Sequence, residues 1–173
     1  MSRVLSIIVF FYIGIVQLHV SGESLNLKLK RIKEQYKSIN AYQKYTVFTP
    51  DDAASFIGYT DNGASLTGYL RNDTIFKIVV WIGLSNKAIQ QEFYYTDEKL
   101  LFVFEKISFY EYDKKNNNLD YTKLNLKFSN RYYFDKGKLI YKLCEEEGVV
   151  AKTGELLPNA IKYYSLLQDL LQE

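Results

Sequence analysis

Two periodicities divide the chain. Over residues 24–39 apolar side chains fall at Leu25, Leu29, Ile32, Tyr36 and Ile39, spaced four, three, four and three apart. That spacing is one stripe of an amphipathic helix, and Ser24 stands where an N-cap is expected. From Tyr45 the period changes to two. Runs of β-branched and aromatic residues alternate with short polar breaks at residues 61–63, 72–73, 83–86, 96–98, 113–120 and 135–137. Asn62-Gly63 supplies the positive φ of a tight hairpin. Strands joined by such short turns must be antiparallel neighbours, so the pattern predicts a meander. Near the C-terminus the helical period returns at Leu157, Ile161, Tyr164, Leu167 or Gln168, and Leu171, with Leu166 and Leu170 widening the stripe and Pro158 tolerable in a first turn. Residues 42–56 resist assignment, and Thr49-Pro50-Asp51-Asp52 reads as a loop.

The faces of two strands follow from alternation. Leu124, Leu126 and Phe128 alternate with Lys123, Asn125 and Lys127, which predicts one dry and one wet face. On the run 74–82, Phe76, Ile78, Val80 and Ile82 fall on one side. Ile75, Lys77, Val79 and Trp81 fall on the other, also largely apolar, so this strand is predicted to be central and covered twice. Residues 100–104 have the same character. A weak internal repeat aligns Tyr69-Leu-Arg-Asn-Asp-Thr-Ile75 with Tyr94-Tyr-Thr-Asp-Glu-Lys-Leu100 and Tyr133-Phe-Asp-Lys-Gly-Lys-Leu139. Each unit is an aromatic residue, a polar turn and a returning aliphatic, which describes a hairpin. The irregular spacing of the units excludes a solenoid.

The N-terminus has a different character. A positively charged start at Arg3 precedes an apolar run over residues 4–16. A more polar stretch with Val20 and Gly22 follows. This is the layout of a secretory signal peptide cut before Glu23, leaving residues 23–173 as one domain. The alternative is an uncleaved membrane anchor, since the run extends to about 17 residues, the shortest length that spans a bilayer. Export places the protein in the periplasm or outside the cell. Cleavage removes the single histidine, His19, and leaves Cys144 as the only cysteine. A domain of about 150 residues without a disulfide is stabilised by its core alone.

This inventory excludes much chemistry. Nucleophilic triads need an imidazole, and zinc, copper and haem sites draw on His and Cys. No glycine-rich phosphate cradle is present. The Cys144 thiol precedes Glu145, Glu146 and Glu147, charges that oppose a reactive thiolate. Residues 113–120 carry oxygen ligands but lack the glycine and terminal Glu of a calcium loop. Paired carboxylates of a glycoside hydrolase stay open, because 20 acidic residues offer many pairs. Hence no catalytic residue, cofactor or metal is expected. A formal charge of +2 lacks the basic surplus of a nucleic-acid binder. Lys28, Lys30, Arg31, Lys33 and Lys37 line the polar face of the first helix, as a solvated face or as a surface for anionic lipid. With 16 Tyr, 11 Phe and one Trp, aromatic residues serve either strand packing or recognition. The candidate binding residues are Trp81 and its strand neighbour Lys77.

Glu92-Phe-Tyr-Tyr-Thr-Asp-Glu-Lys-Leu-Leu-Phe-Val-Phe104 and Arg131-Tyr-Tyr-Phe-Asp-Lys-Gly-Lys-Leu139 resemble a loose group of uncharacterised exported bacterial proteins with a Tyr-rich antiparallel meander. The resemblance covers about half the chain and implies no activity or site residue. A helix gripping a meander also looks like cystatin-like and β-lactamase-inhibitor-type domains, which implies at most an inhibitor-like role. The resulting expectation is an α+β fold: an antiparallel β-meander of about six or seven strands, with an N-terminal and a C-terminal helix packed on it. The expected function is a non-catalytic exported binding module for a protein, peptide or glycan. The alternative is an envelope structural protein held at the membrane by a retained N-terminal segment.

Overall fold

The computed structural model describes residues 23–58, 60–145 and 153–172. The expected signal segment and His19 lie outside these residues. The elements are α1 (Leu25–Ala41), β1 (Thr46–Phe48), α2 (Ala53–Ile57), β2 (Ala64–Arg71), β3 (Thr74–Gly83), β4 (Lys87–Thr96), β5 (Lys99–Asp113), β6 (Asn118–Asp135), β7 (Lys138–Leu143) and α3 (Thr153–Leu170). The seven strands form one antiparallel sheet in sequence order, the meander that the short turns dictate. Ser24 caps α1, its Oγ accepting from Leu27 N at 3.4 Å.

Helices α1 and α3 pack on opposite faces. Ile32 and Ile39 of α1 join Tyr94, Leu101, Phe102 and Tyr133, whereas Leu156, Ala160, Tyr163 and Leu167 of α3 join Phe93, Tyr95 and Val103. Adjacent residues on β4 and on β5 thus serve different cores, as strand alternation requires.

The sequence repeat proves to be one bulged hairpin used three times. Each turn holds both central residues at positive φ: Asn72 and Asp73, Asp97 and Glu98, Lys136 and Gly137. That is the twist-matched turn of a two-residue hairpin. Each hairpin also carries a register shift at the same place, so Phe76, Leu101 and Ile140 are extra residues on the returning strand. All three extra side chains pack in the α1 core. A bulge directs two consecutive side chains to one face and widens it locally. The seat of α1 is therefore built from three bulges side by side.

These bulges correct the expected strand faces. Ile75 lies in the α3 core with Ile78 and Val80, and Phe76 faces α1, the reverse of simple alternation. On β6 a further shift skips Lys127, so Phe128 lies opposite Ile107 while Leu126 and Leu124 lie opposite Ser108 and Tyr110 on the other side. Leu124 and Leu126 remain 45% and 54% exposed, so the predicted dry face is not continuous.

Three other expectations change. Residues 61–63 close no hairpin: they lead from α2 into β2, and Asp61 N and Asn62 N both donate to Gly83 O. Residues 42–56 contain β1 and most of α2. The buried stripe of α3 is Leu156, Ala160, Tyr163, Tyr164 and Leu167, so Tyr164 and Leu167 are buried as predicted, but the first two positions fall one residue earlier and Ile161 is 59% exposed. The cause is close approach. Small Ala160 faces the sheet, its carbonyl accepting from the Tyr95 hydroxyl at 2.9 Å. At Gly68 a Cβ would come within 3.0 Å of Leu167 Cδ1. Larger side chains at either point would push the helix away.

Candidate functional site

The face that carries α1 is ordered into rows by strand register. Tyr69, Lys77, Tyr94, Phe102, Tyr133 and Tyr141 form the first, next to the bulged hairpins. Thr67, Val79, Glu92, Phe104, Arg131 and Leu143 form the second. Ser65, Trp81, Gln90, Lys106 and Ser129 form the third. Helix α1 crosses the strands over the first row. It starts at the β6–β7 turn, where Lys28 and Arg31 meet Asp135 at 2.7 and 3.2 Å, and ends at β3, where Asn40 accepts from Lys77 at 3.3 Å. The buried α1 core takes its sheet residues from the first row and the bulges. Phe104 of the second row packs against its edge, and the other polar and aromatic side chains of the second and third rows lie beyond it.

Glu92 is the centre of this region. Its carboxylate accepts from Lys77 at 2.8 Å, Lys106 at 3.3 Å, the Tyr94 hydroxyl at 2.5 Å and Gln90 Nε2 at 2.9 Å. Its side chain is only 10% exposed. Burial alone raises a carboxyl pKa, but the Lys77 and Tyr94 hydrogen bonds and the charges of Lys77 and Lys106 outweigh it and hold Glu92 below its ordinary value. Burial, then the hydrogen bond to Glu92, pushes the Tyr94 hydroxyl far above its usual range. Glu92 is thus a fixed anion that positions two lysines, not a carboxyl poised to donate a proton at neutral pH.

Lys77 and Trp81, the residues singled out from the sequence, lie on this one face. Lys77 is committed to Glu92 and Asn40 and stands over the Tyr69 and Tyr94 rings at 5.6 and 5.0 Å. Trp81 is half-buried in the third row, opposite Ser65 and Gln90. The structure adds Glu92, Phe104, Lys106 and Arg131. Lys106 and Arg131 lie over the Phe104 ring at 5.1 and 5.0 Å. No local pattern marks these residues, because register alone brings four strands together. The nearest signal is an acid, Glu92, directly before the aromatic run Phe93-Tyr94-Tyr95 of a strand whose neighbour carries Lys77.

A second buried acid faces the other way. Glu105, 1% exposed, accepts from Gln91 Nε2 at 2.7 Å, Asn130 Nδ2 at 3.0 Å and the Tyr132 hydroxyl at 3.4 Å on the α3 side. Glu92 and Glu105 are therefore separated by the sheet and do not flank a common cleft, as a hydrolytic carboxylate pair must. In the β5–β6 hairpin, Asp113 accepts from Lys115 N and Asn116, and Asp120 from Thr122 N and Lys123, so both serve the local chain. Among the described residues no group of three or more His, Cys, Asp or Glu converges as metal ligands. Cys144 is half-buried against the α3 core. Among the described residues no helix is long and apolar enough to cross a membrane.

No family model, curated protein or solved structure matches the chain.

Proposed function

We propose that this is a non-catalytic exported binding module, acting in the periplasm or outside the cell, that recognises a protein, peptide or glycan through the second and third rows of the α1 face. The observation that carries this reading is the uneven cover of the sheet. Helix α1 packs on the first row and leaves Trp81, Phe104, Lys106 and Arg131 at a partly exposed surface. Aromatic rings and Arg are the side chains that concentrate binding energy, because they bury large area at small entropic cost. The Glu92 cluster beneath them holds Lys77 and Lys106 in place before a ligand arrives, which lowers the ordering cost of binding.

Capture from an envelope extract, together with a glycan panel, tests the reading. The wild-type protein is compared with Trp81→Ala and Phe104→Ala. Loss of the same bound species in both variants, each still folded by circular dichroism, is the expected result. Retention in both variants, or no species bound at about micromolar protein, overturns it. Turnover of a glycan or ester substrate that Glu92→Gln abolishes would replace binding with catalysis.

A further inference from the structure

Where α1 meets the second row, a cleft of about 210 Å³ opens between the helix and strands β5 and β6. The helix contributes Ile32, Lys33, Tyr36 and Lys37, and the sheet contributes Phe102, Phe104, Arg131 and Tyr133. Residues 32 and 36, and 33 and 37, are one helical turn apart, so α1 presents an apolar edge beside a cationic one. The aromatic walls are fixed by mutual contact. Tyr36 meets Phe102 edge-on at 5.0 Å, and Phe102 meets Tyr133 at 4.9 Å.

The cleft has three cations and no acid in its lining. Among the described residues Lys33, Lys37 and Arg131 form no ion pair, in contrast to Lys28, Arg31, Lys77, Lys106 and Lys123. Arg131 donates one bond, to Ser129 Oγ at 3.5 Å, and lies over Phe104. Arg131 does help to lower the Glu145 pKa, but the Glu145 carboxylate is held by Ser129 N at 2.9 Å and Ser129 Oγ at 2.7 Å, the larger causes of that shift. Like charges gathered around an apolar floor repel one another, modestly because Lys33 and Lys37 are exposed, and an arriving anion removes that repulsion. A guanidinium also presents a planar fork that matches a carboxylate.

We propose that this cleft binds a small aromatic carboxylate, its ring among Tyr36, Phe102 and Phe104 and its carboxylate at Lys33, Lys37 and Arg131. This inference rests on the reading of the α1 face as a recognition surface and adds a small-molecule site where the helix borders it. The volume selects a body of one or two rings, since pockets for larger drug-sized ligands run from about 300 to 1,000 Å³. The apolar walls disfavour a bare inorganic anion, which gains nothing from them and loses hydration.

Naphthalene-2-carboxylate and its uncharged amide are suitable probes, titrated calorimetrically into the purified protein and mapped by backbone NMR. The acid is expected to bind with a Kd at or below about 1 mM, and the amide about tenfold more weakly. Shifts should concentrate at Phe104, Arg131 and Tyr133. The double variant Lys33→Gln/Lys37→Gln alters only exposed helix positions, so it should keep its melting temperature and lose about tenfold in affinity for the acid. Arg131→Gln should lose affinity for the acid to the same extent. Equal binding of acid and amide, or acid binding indifferent to these variants, overturns the proposal. If the acid does not bind while Trp81→Ala still abolishes partner capture, this inference falls and the recognition surface stands. If neither ligand nor partner responds to any variant, both fall.

Discussion

The ion cluster at Glu92 makes a quantitative demand on stability. Replacing Glu92 by Gln keeps the shape but removes the anion shared by Lys77 at 2.8 Å and Lys106 at 3.3 Å, and it turns an amide donor toward one of them. Hydrogen bonds to charged groups contribute about 1.5–3 kcal/mol each, and orphaning a fully buried charge costs about 3–5 kcal/mol. The Lys77 and Lys106 side chains keep 16% and 35% exposure, so water recovers part of the loss, most of it at Lys106. The net cost of Glu92→Gln is then about 2–3 kcal/mol, with a Lys77–Glu92 coupling of about 1–2 kcal/mol in a double-mutant cycle with Lys77→Met. Urea unfolding followed by the single tryptophan, Trp81, reads these values. The pH dependence supplies a second check. Because the folded Glu92 pKa is lower than the unfolded one, the unfolded chain binds more protons between the two values, and stability rises with pH there. The gap between wild type and Glu92→Gln should be full above the unfolded carboxyl pKa of about 4.3, and close as pH falls through the folded value. A coupling below about 0.5 kcal/mol, or a gap unchanged into acid, refutes the description of Glu92 as a fixed anion.

Three further outcomes follow from the packing. Tyr95 and Tyr164 touch at 4.9 Å between ring centroids, but only the Tyr95 hydroxyl has a hydrogen-bond partner among the described residues, the Ala160 carbonyl. In thermal melts Tyr95→Phe should therefore cost about 1–2 kcal/mol, whereas Tyr164→Phe should be neutral or stabilising by up to about 1 kcal/mol. Gly68→Ala places a methyl 3.0 Å from Leu167 Cδ1, a side chain with no exposed surface, and should cost about 1–3 kcal/mol by chemical denaturation. Lys28→Ala cuts the tether from α1 to Asp135. Its global cost should stay near 0.5–1 kcal/mol by the usual worth of such pairs, roughly, while amide exchange accelerates in the first turns of α1 and not in the central strands.

The antiparallel order, both long helices and the strand number to within one were legible from the sequence, because each depends on local information. A two-residue turn such as Asn72-Asp73 leaves its flanking strands no choice but to pair, and a 3.6-residue period states that a helix has one face to bury. The threefold repeat was visible too and read as a hairpin, although its bulge was not. A bulge is a mismatch between two strands, and the position of Phe76, Leu101 and Ile140 as extra residues depends on the partner as well as on their own segment.

What only the tertiary structure decided is which distant side chains share a row and where each helix lands. Glu92 and Glu105 look alike along the chain, yet β4 and β5 present them to opposite faces, one to lysines and one to amides and a phenol. The α3 stripe turned toward small Ala160 because the gap between helix and sheet, not hydropathy, selects the inward face. Lys33 and Lys37 read as a solvated helix edge until α1 crossed the sheet beside Arg131, almost a hundred positions further along the chain. Local periodicity determines elements and their order. Sites arise from contacts whose closure entropy is overcome only when the whole sheet and its two helices pack together.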